Sequence, residues 1–322
     1  MAHDVEPVLG GPGVSGGAAF LEGRRVLVTG GGGFIGRHLC RALLAAGAAV
    51  VSADIDPAVV VDGVEDVRGD LRDPAFQDKV VTGDLDGIVH LAAATSVLAS
   101  MADPAGVHEL NVNASAGLLE LARTRGVQRF LFASTNAVVG DVGTATIDES
   151  IPLRPLTPYG ASKAAVEMLL SGYTGAYGLT GCALRFTNVY GPGMERKDSF
   201  VPRLMRAALN GEGVQVYGEG AQRRDLVFVE DVVRGVVAAW GASATGPVII
   251  GGGRSVSVLD LVTAARAATG VDIPARHVPA KAGEMPAVVV DISRARSLGY
   301  APSVGLEEGL AAVWRDFREN PA

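Results

Sequence analysis

Cysteine is nearly absent from this 322-residue chain: Cys40 and Cys182 are the only two. Two cysteines form no disulfide framework, and no Cys/His spacing matches a zinc site. The expectation is a reduced, cytoplasmic protein with no metal. Positive charge is also short. Lys and Arg number 28 against 35 Asp and Glu, a net charge of −7, which argues against nucleic acid as the main partner because a phosphate backbone selects a basic surface. An anionic ligand must then be held by a few local cations and backbone amides. No apolar run suits a membrane span. The longest uncharged stretch, Gly235 to Gly253, is interrupted by Ser243, Gly246 and Pro247 and reads as helix, loop and strand. Residues 1–22 are rich in Gly and Pro and carry Asp4 and Glu6. They lack the basic start and apolar run of a signal peptide and read as a flexible tail.

What is present is ordinary for a folded protein: 48% hydrophobic and 20% charged residues, which excludes wholesale disorder. The length exceeds what one core usually holds, so a large domain with a smaller lobe is expected. In the first half, Arg25–Thr29, Ala49–Ala53, Gly87–Leu91 and Phe130–Ser134 are short aliphatic runs bounded by Gly or Asp, the pattern of buried strands. Between them Ile35–Ala46, Pro104–Arg125 and Tyr159–Tyr177 show helical periodicity. Such alternation predicts a parallel sheet covered by helices on both faces. The second half is less regular. Helices are expected over Val201–Leu209, Asp231–Trp240, Val258–Thr269 and Leu306–Phe317, and strands over Cys182–Val189, Val214–Tyr217, Leu226–Val229 and Val248–Ile250.

The first strand runs into Gly30-Gly-Gly-Gly33-Phe34-Ile35-Gly36 and then a helix. Gly30 permits a tight turn, Gly33 permits backbone approach to a pyrophosphate, and Gly36 lets the helix pack on the strand; the helix amino terminus offers free N–H groups and partial positive charge to the phosphates. Asp54 ends the second strand ~20 residues beyond the motif, where a carboxylate accepts hydrogen bonds from an adenosine ribose. An acid there favours NAD over NADP. Asp70-Leu71 follows the third strand and is either beside the adenine or an ordinary turn.

Tyr159 and Lys163 stand four residues apart, with Thr157 and Pro158 before them as cap and first helical position. The spacing places both side chains on one helical face. A phenol with pKa near 10 is a poor base at neutral pH unless a cation stands beside it, and Lys163 supplies one. Taken alone, Tyr-x-x-x-Lys is equally consistent with an ordinary surface helix. At the end of a strand, Ser134 and Thr135 offer hydroxyls either to a sugar oxygen or to local backbone groups.

Together these motifs resemble the extended short-chain dehydrogenase/reductases, specifically the nucleotide-sugar 4-epimerases. The resemblance runs from about Gly23 to the carboxyl-terminal helix. It rests on Thr29 to Gly36, His90-Leu-Ala-Ala93, Asn111-Val112, Thr135 with Tyr159 and Lys163, Leu184-Arg-Phe-Thr-Asn188-Val-Tyr-Gly-Pro192, and Gly218-Glu-Gly-Ala-Gln-Arg-Arg224-Asp225. It implies an α/β fold with a Rossmann-type doubly wound parallel sheet and a smaller α/β carboxyl-terminal substrate lobe. Residues 23–181 would form the NAD domain, with strand 182–189 and part of 226–250 returning to it, and 190–322 mainly the substrate lobe. Tyr159 would be the general base, Thr135 its hydroxyl partner, and Lys163 the cation that holds the nicotinamide ribose and lowers the tyrosine pKa. Leu91, Ala92, Ala93, Thr95 and Asn111 would line the cofactor. Asn188 and Arg224 would hold a nucleotide diphosphate, with Asn136, Thr187, Phe200, Gln215, Tyr217 and Glu284 completing the substrate site. A homodimer through the helices around 104–125 and 159–177 is also implied. Three positions depart from the family pattern: Val139 replaces a common Tyr, Ile249 a common Asn, and Lys281 a frequent Arg.

The reaction expected is C4 epimerisation of a UDP-hexose or UDP-hexuronate through a 4-keto intermediate, with UDP-glucuronate slightly preferred. The hydroxyl and amide of Thr135-Asn136, the Thr187 hydroxyl and the Arg196-Lys197 loop carry that preference. The alternatives are a 4,6-dehydratase, for which the related enzymes place Asp-Glu where this chain has Asn136-Ala137, a 4-keto-sugar reductase, and a non-catalytic sensor of dinucleotide.

Overall fold

Runs of Val, Ile, Leu and Phe without polar alternation favour strands buried on both faces, and here they assemble into one parallel sheet. The computed structural model describes residues 18–56, 61–279 and 287–320. Its strands are β1 Arg25–Thr29, β2 Ala49–Asp54, β3 Glu65–Arg68, β4 Gly87–His90, β5 Arg129–Thr135, β6 Thr146–Ile147, β7 Thr180–Phe186, β8 Asn188–Tyr190, β9 Val214–Tyr217, β10 Arg223–Phe228, β11 Gly246–Ile250, β12 Ser255–Ser257, β13 Ala275–Val278 and β14 Val289–Val290. Seven form a sheet in the order β3-β2-β1-β4-β5-β7-β11, with every neighbouring pair parallel. The winding reverses between β1 and β4, which opens a crevice at their carboxyl ends.

The α-helices are α1 Phe34–Ala45, α2 Pro74–Val80, α3 Val97–Ala102, α4 Pro104–His108, α5 Ala114–Arg125, α6 Pro158–Tyr177, α7 Phe200–Asn210, α8 Val229–Gly241, α9 Val258–Thr269, α10 Ser293–Ser297 and α11 Leu306–Glu319. One core packs α1 and α8 on one face of the sheet, through Leu39, Leu43, Val236 and Trp240. A second packs α2, α5 and α6 on the other, through Phe76, Leu118, Leu119 and Val166. A third core lies in the smaller lobe, where α7, α9 and α11 meet β8, β9 and β10. The lobe's sheets are small: β12-β10-β8, with β13-β9 and β14-β6 as pairs.

Three expectations are corrected. The tail does not extend to residue 22. Ala18 and Leu21 are buried, Leu21 completely, in a 3-10 turn over Ala19–Leu21, because a single aliphatic anchor holds it against the sheet's first core. The helix expected over 104–125 is broken by a π turn at Glu109–Asn113. There the Ser115 hydroxyl donates to the Asn111 carbonyl at 2.6 Å, so a side chain serves a carbonyl where the backbone ladder shifts. The strand expected over 182–189 divides at Thr187: β7 stays in the large sheet and β8 crosses to pair with β10 in the lobe. Thr187 therefore sits where the two lobes diverge.

Candidate active site

The glycine turn after β1 is shaped for close approach. Gly30 has φ +71°, and a Cβ there would lie 2.8 Å from the Ala92 backbone nitrogen. A Cβ on Gly36 would lie 2.0 Å from the Gly30 carbonyl oxygen, so α1 rests directly on the turn. Gly33 is the N-cap of α1 and has no side chain to cap it. The amides of the first helical turn are thus left for a ligand, with the helix dipole behind them. Asp54 is tied to the same turn: its Oδ2 accepts from the Gly32 N–H at 3.0 Å. Arg72 grips the Asp70 carboxylate through Nε at 3.0 Å, which holds the Asp70 carboxyl below the usual range.

At the other end, α6 starts on the Thr157 hydroxyl, which accepts from the Gly160 N–H at 3.1 Å, with Pro158 at the first position. This cap sets Tyr159 in the first turn and Lys163 one turn on. Burial pushes the Tyr159 phenol above its usual pKa, and a hydrogen bond with the Thr135 hydroxyl opposes the rise. Lys163 is buried. Its ammonium donates to the Ala133 carbonyl at 2.8 Å and stands 4.6 Å above the centre of the Phe132 ring. Burial pushes its pKa down to about 7. Behind this corner, burial and then the Lys163 charge push His90 down to about 3, so its ring is neutral. The Ser115 hydroxyl is committed to the Asn111 carbonyl, so His90 Nε2–H donates to Ser115 Oγ at 2.8 Å and Nδ1 accepts from the Thr29 hydroxyl at 2.6 Å.

One cleft of about 400 Å³ joins the two ends. Gly30, Gly33, Phe34, Ile35, Gly36, Asp54, Asp70 and Leu71 line it on the turn side, and Leu91, Ala92, Ala93 and Thr95 along the floor. Thr135, Tyr159, Lys163 and Thr187 close it. Asn111 stands behind the wall: its Oδ1 accepts from the Ala94 N–H at 2.8 Å and its Nδ2 donates to Ser162 Oγ at 3.0 Å. It therefore shapes the 91–95 loop rather than lining the cleft. Asn136 is buried, and neither of its amide atoms has a partner among the described residues. Asn188 is exposed on β8, its amide donating to the Asp225 carbonyl at 2.8 Å. Phe200 packs against the lobe core at the start of α7. Gln215 and Tyr217 lie on β9, Gln215 exposed and Tyr217 half-buried. Arg224 lies half-buried on β10, its Nη1 donating to the Arg223 carbonyl at 2.9 Å. Glu284 and Lys281 fall outside the described residues. Arg72, Leu110, Phe186 and Lys197 also line the cleft; no motif pointed to Arg72 or Leu110, and Phe186 lies in the Leu184–Pro192 motif without having been singled out. Of the two cations in the 193–197 loop, Lys197 reaches the cleft and Arg196 does not line it.

The sequence from 26 to 251 matches the model of the NAD dependent epimerase/dehydratase family. The chain belongs to that family. A UDP-glucose 4-epimerase of Mycolicibacterium smegmatis is 35% identical over 309 residues, covering 91% of this chain and 98% of that protein. A dTDP-glucose 4,6-dehydratase of Streptomyces niveus is 33% identical over 317 residues, covering 92% and 94%. The solved structure of MoeE5 in complex with UDP-glucuronic acid and NAD superposes with TM-score 0.85 at 36% identity, over 92% of this chain and 99% of that one. The residues present fit the family's cofactor: the uncapped first turn of α1 at Gly33 faces the cleft, where its amides would hold NAD's pyrophosphate, and Asp54 lines the same cleft, where its carboxylate would meet the adenosine ribose. Among the described residues no helix is long and apolar enough to cross a membrane.

Lys163 provides a test of this corner. Its pKa of about 7 lies below the ordinary 10.5, so between those values the unfolded chain binds the extra proton and wild-type stability rises with pH. Below about 7 the buried charge is penalised in full. Lys163→Met is therefore expected to unfold at a higher temperature than wild type at pH 6–7, with the gain shrinking toward pH 10, while turnover is lost. A variant less stable than wild type at every pH would show that the ammonium is not under strain.

Proposed function

We propose that this chain is an NAD-dependent nucleotide-sugar 4-epimerase acting on a UDP-sugar, with UDP-glucuronate preferred over UDP-glucose. One observation carries the choice of epimerisation over dehydration. Thr135, Tyr159 and Lys163 meet in the cleft without a carboxylate: among the described residues, the acids lining it are Asp54 and Asp70, both at the adenosine end. Elimination across C5 and C6 needs a further acid and base beside the sugar. Asn136 and Ala137 supply neither.

Tyr159 Oη takes the proton from the C4 hydroxyl, and the Thr135 hydroxyl holds the same oxygen. Tyr159 acts as its phenolate, which becomes the neutral phenol on accepting that proton; before the transfer the phenolate and the Lys163 ammonium favour each other's charged states, offsetting the burial that pushes the phenol up and the amine down. NAD held in the cleft would supply a reversible acceptor for the C4 hydride, so none would be consumed. Turnover of the 4-keto sugar before the hydride returns inverts C4. The retained Tyr, Lys and Thr argue against a non-catalytic sensor.

The C6 carboxylate reading is supported by Lys197, exposed along the cleft rim with its ammonium held below the usual pKa by partial desolvation. Asn136, next to Thr135 but not itself among the residues lining the cleft, adds a buried amide with unspent donors. Thr187 contributes less than its position promises, since its hydroxyl faces the buried Asp225 carboxyl. The cation expected from Arg196 is better assigned to Lys197. Exposed Leu98, Met101, Met168 and Tyr177 on α3 and α6 support a homodimer on that side.

Tyr159→Phe is expected to lose ~10²-fold or more in kcat and to keep NAD affinity by calorimetry; near-normal turnover would contradict the assignment of the base. Competition between UDP-glucuronate and UDP-glucose, read as the ratio of kcat/KM, should favour the uronate. Lys197→Met should cut that ratio about fivefold, a modest value because the ion pair is rim-exposed. If UDP-glucose wins, or the ratio is unmoved by Lys197→Met, the uronate preference falls and the epimerase reading stands.

A further inference from the structure

One turn beyond Lys163 on α6 stands Glu167, at the same four-residue interval that separates Lys163 from Tyr159. Three consecutive residues of β5 meet these three turns. The Thr135 hydroxyl meets Tyr159, the Ala133 carbonyl accepts from Lys163, and the Ser134 hydroxyl donates to Glu167 Oε1 at 2.5 Å. Arg185 lies directly opposite Ser134 in the β5–β7 register. Its Nη2 donates to Glu167 Oε2 at 2.7 Å and its Nε to Oε1 at 3.0 Å. Both charged side chains are buried, 3% and 6% exposed.

We propose that Ser134, Glu167 and Arg185 are positioning residues, which fix the register of α6 against β5 and β7 and so set the Thr135–Tyr159–Lys163 geometry. The remaining contact of α6 with the sheet is apolar, through Val166 and Leu170, and apolar packing resists sliding only weakly because it has no direction. The two-pronged ion pair has direction. Stability does not account for it, since burying a charge pair costs about as much as the pair returns, and an apolar replacement of equal volume would hold the fold as well. Arg185 Nη1 is buried with no partner among the described residues, which lowers the return further. Register control does account for it: a shift of about 1 Å at a catalytic corner costs up to ~10²-fold in rate.

The kinetic arm of the test rests on the epimerase reading. A second arm, ultraviolet difference titration of the Tyr159 phenol with Tyr159→Phe as the blank, needs no substrate. Ser134→Ala is expected to retain the fold and NAD affinity, to lower kcat ~10-fold with little change in KM, and to raise the pKa of Tyr159. Ser134→Thr, which restores the hydroxyl, should recover kcat and the titration. Glu167→Gln should go further in the same direction as Ser134→Ala. Equal kcat and equal Tyr159 titration in wild type, Ser134→Ala and Ser134→Thr would overturn the proposal, even if Glu167→Gln fails to fold. If wild type turns over no nucleotide-sugar, the epimerase reading fails, and the titration alone still decides the positioning role.

Discussion

A cation buried without an anion is the constraint around which this site is built. Lys163 forms no ion pair among the described residues; its ammonium rests on the Ala133 carbonyl and the Phe132 ring. Leaving a charge in that position is costly, and the ammonium gives up much of its proton affinity there. The cost becomes useful once a second charge develops next to it. A phenolate at Tyr159 is unfavourable in a dry cleft alone, and so is the ammonium alone, but each removes the other's penalty. His90 fits the same logic, since its neutral ring adds no competing positive charge close to Lys163.

The same corner depends on features far from it in sequence. The hydrogen bonds from Thr29 through His90 and Ser115 to Asn111, and from Asn111 through Ser162 to the Tyr159 carbonyl, tie the glycine turn to the first turn of α6. The glycine turn and the Tyr159 corner are thereby held in one frame. Division of the expected strand at Thr187 sends β8 into the lobe, and the following loop brings Lys197 to the cleft rim. That arrangement brings a cation from the smaller lobe to a cleft otherwise lined mainly by residues of the large sheet's domain.

The parts of this architecture that were legible in the sequence are those set by local spacing. The glycine turn and the Tyr159–Lys163 stripe follow from spacings of three and four residues, the parallel strands from short unbroken aliphatic runs, and the lobe's helix over 258–269 begins on a Ser257 capping box. What was not legible depends on partners distant in the chain. A strand was expected before Asp70, but its bounds were not readable: β3 reads Glu-Asp-Val-Arg and shows no apolar run, because it is an edge strand with its side chains largely exposed. The π turn joins Asn111 and Ser115, and Ser115 in turn meets His90 from β4, far off in the chain. Glu167 stands as an acid on an apolar helical face, a signal in itself, but only the β5–β7 register reveals Arg185 as its partner. Leu21 was hidden by the Gly- and Pro-rich composition before it, which says nothing of one aliphatic anchor.

Deuterium placed at C4 of the UDP-sugar follows the proposed chemistry most directly. If Tyr159 handles the proton while the hydride leaves and returns at the same carbon, the product formed in ordinary water carries its deuterium at C4 with inverted configuration, and no reduced cofactor accumulates. Deuterium recovered at C6 with loss of water, or retained in released reduced nicotinamide, would contradict it.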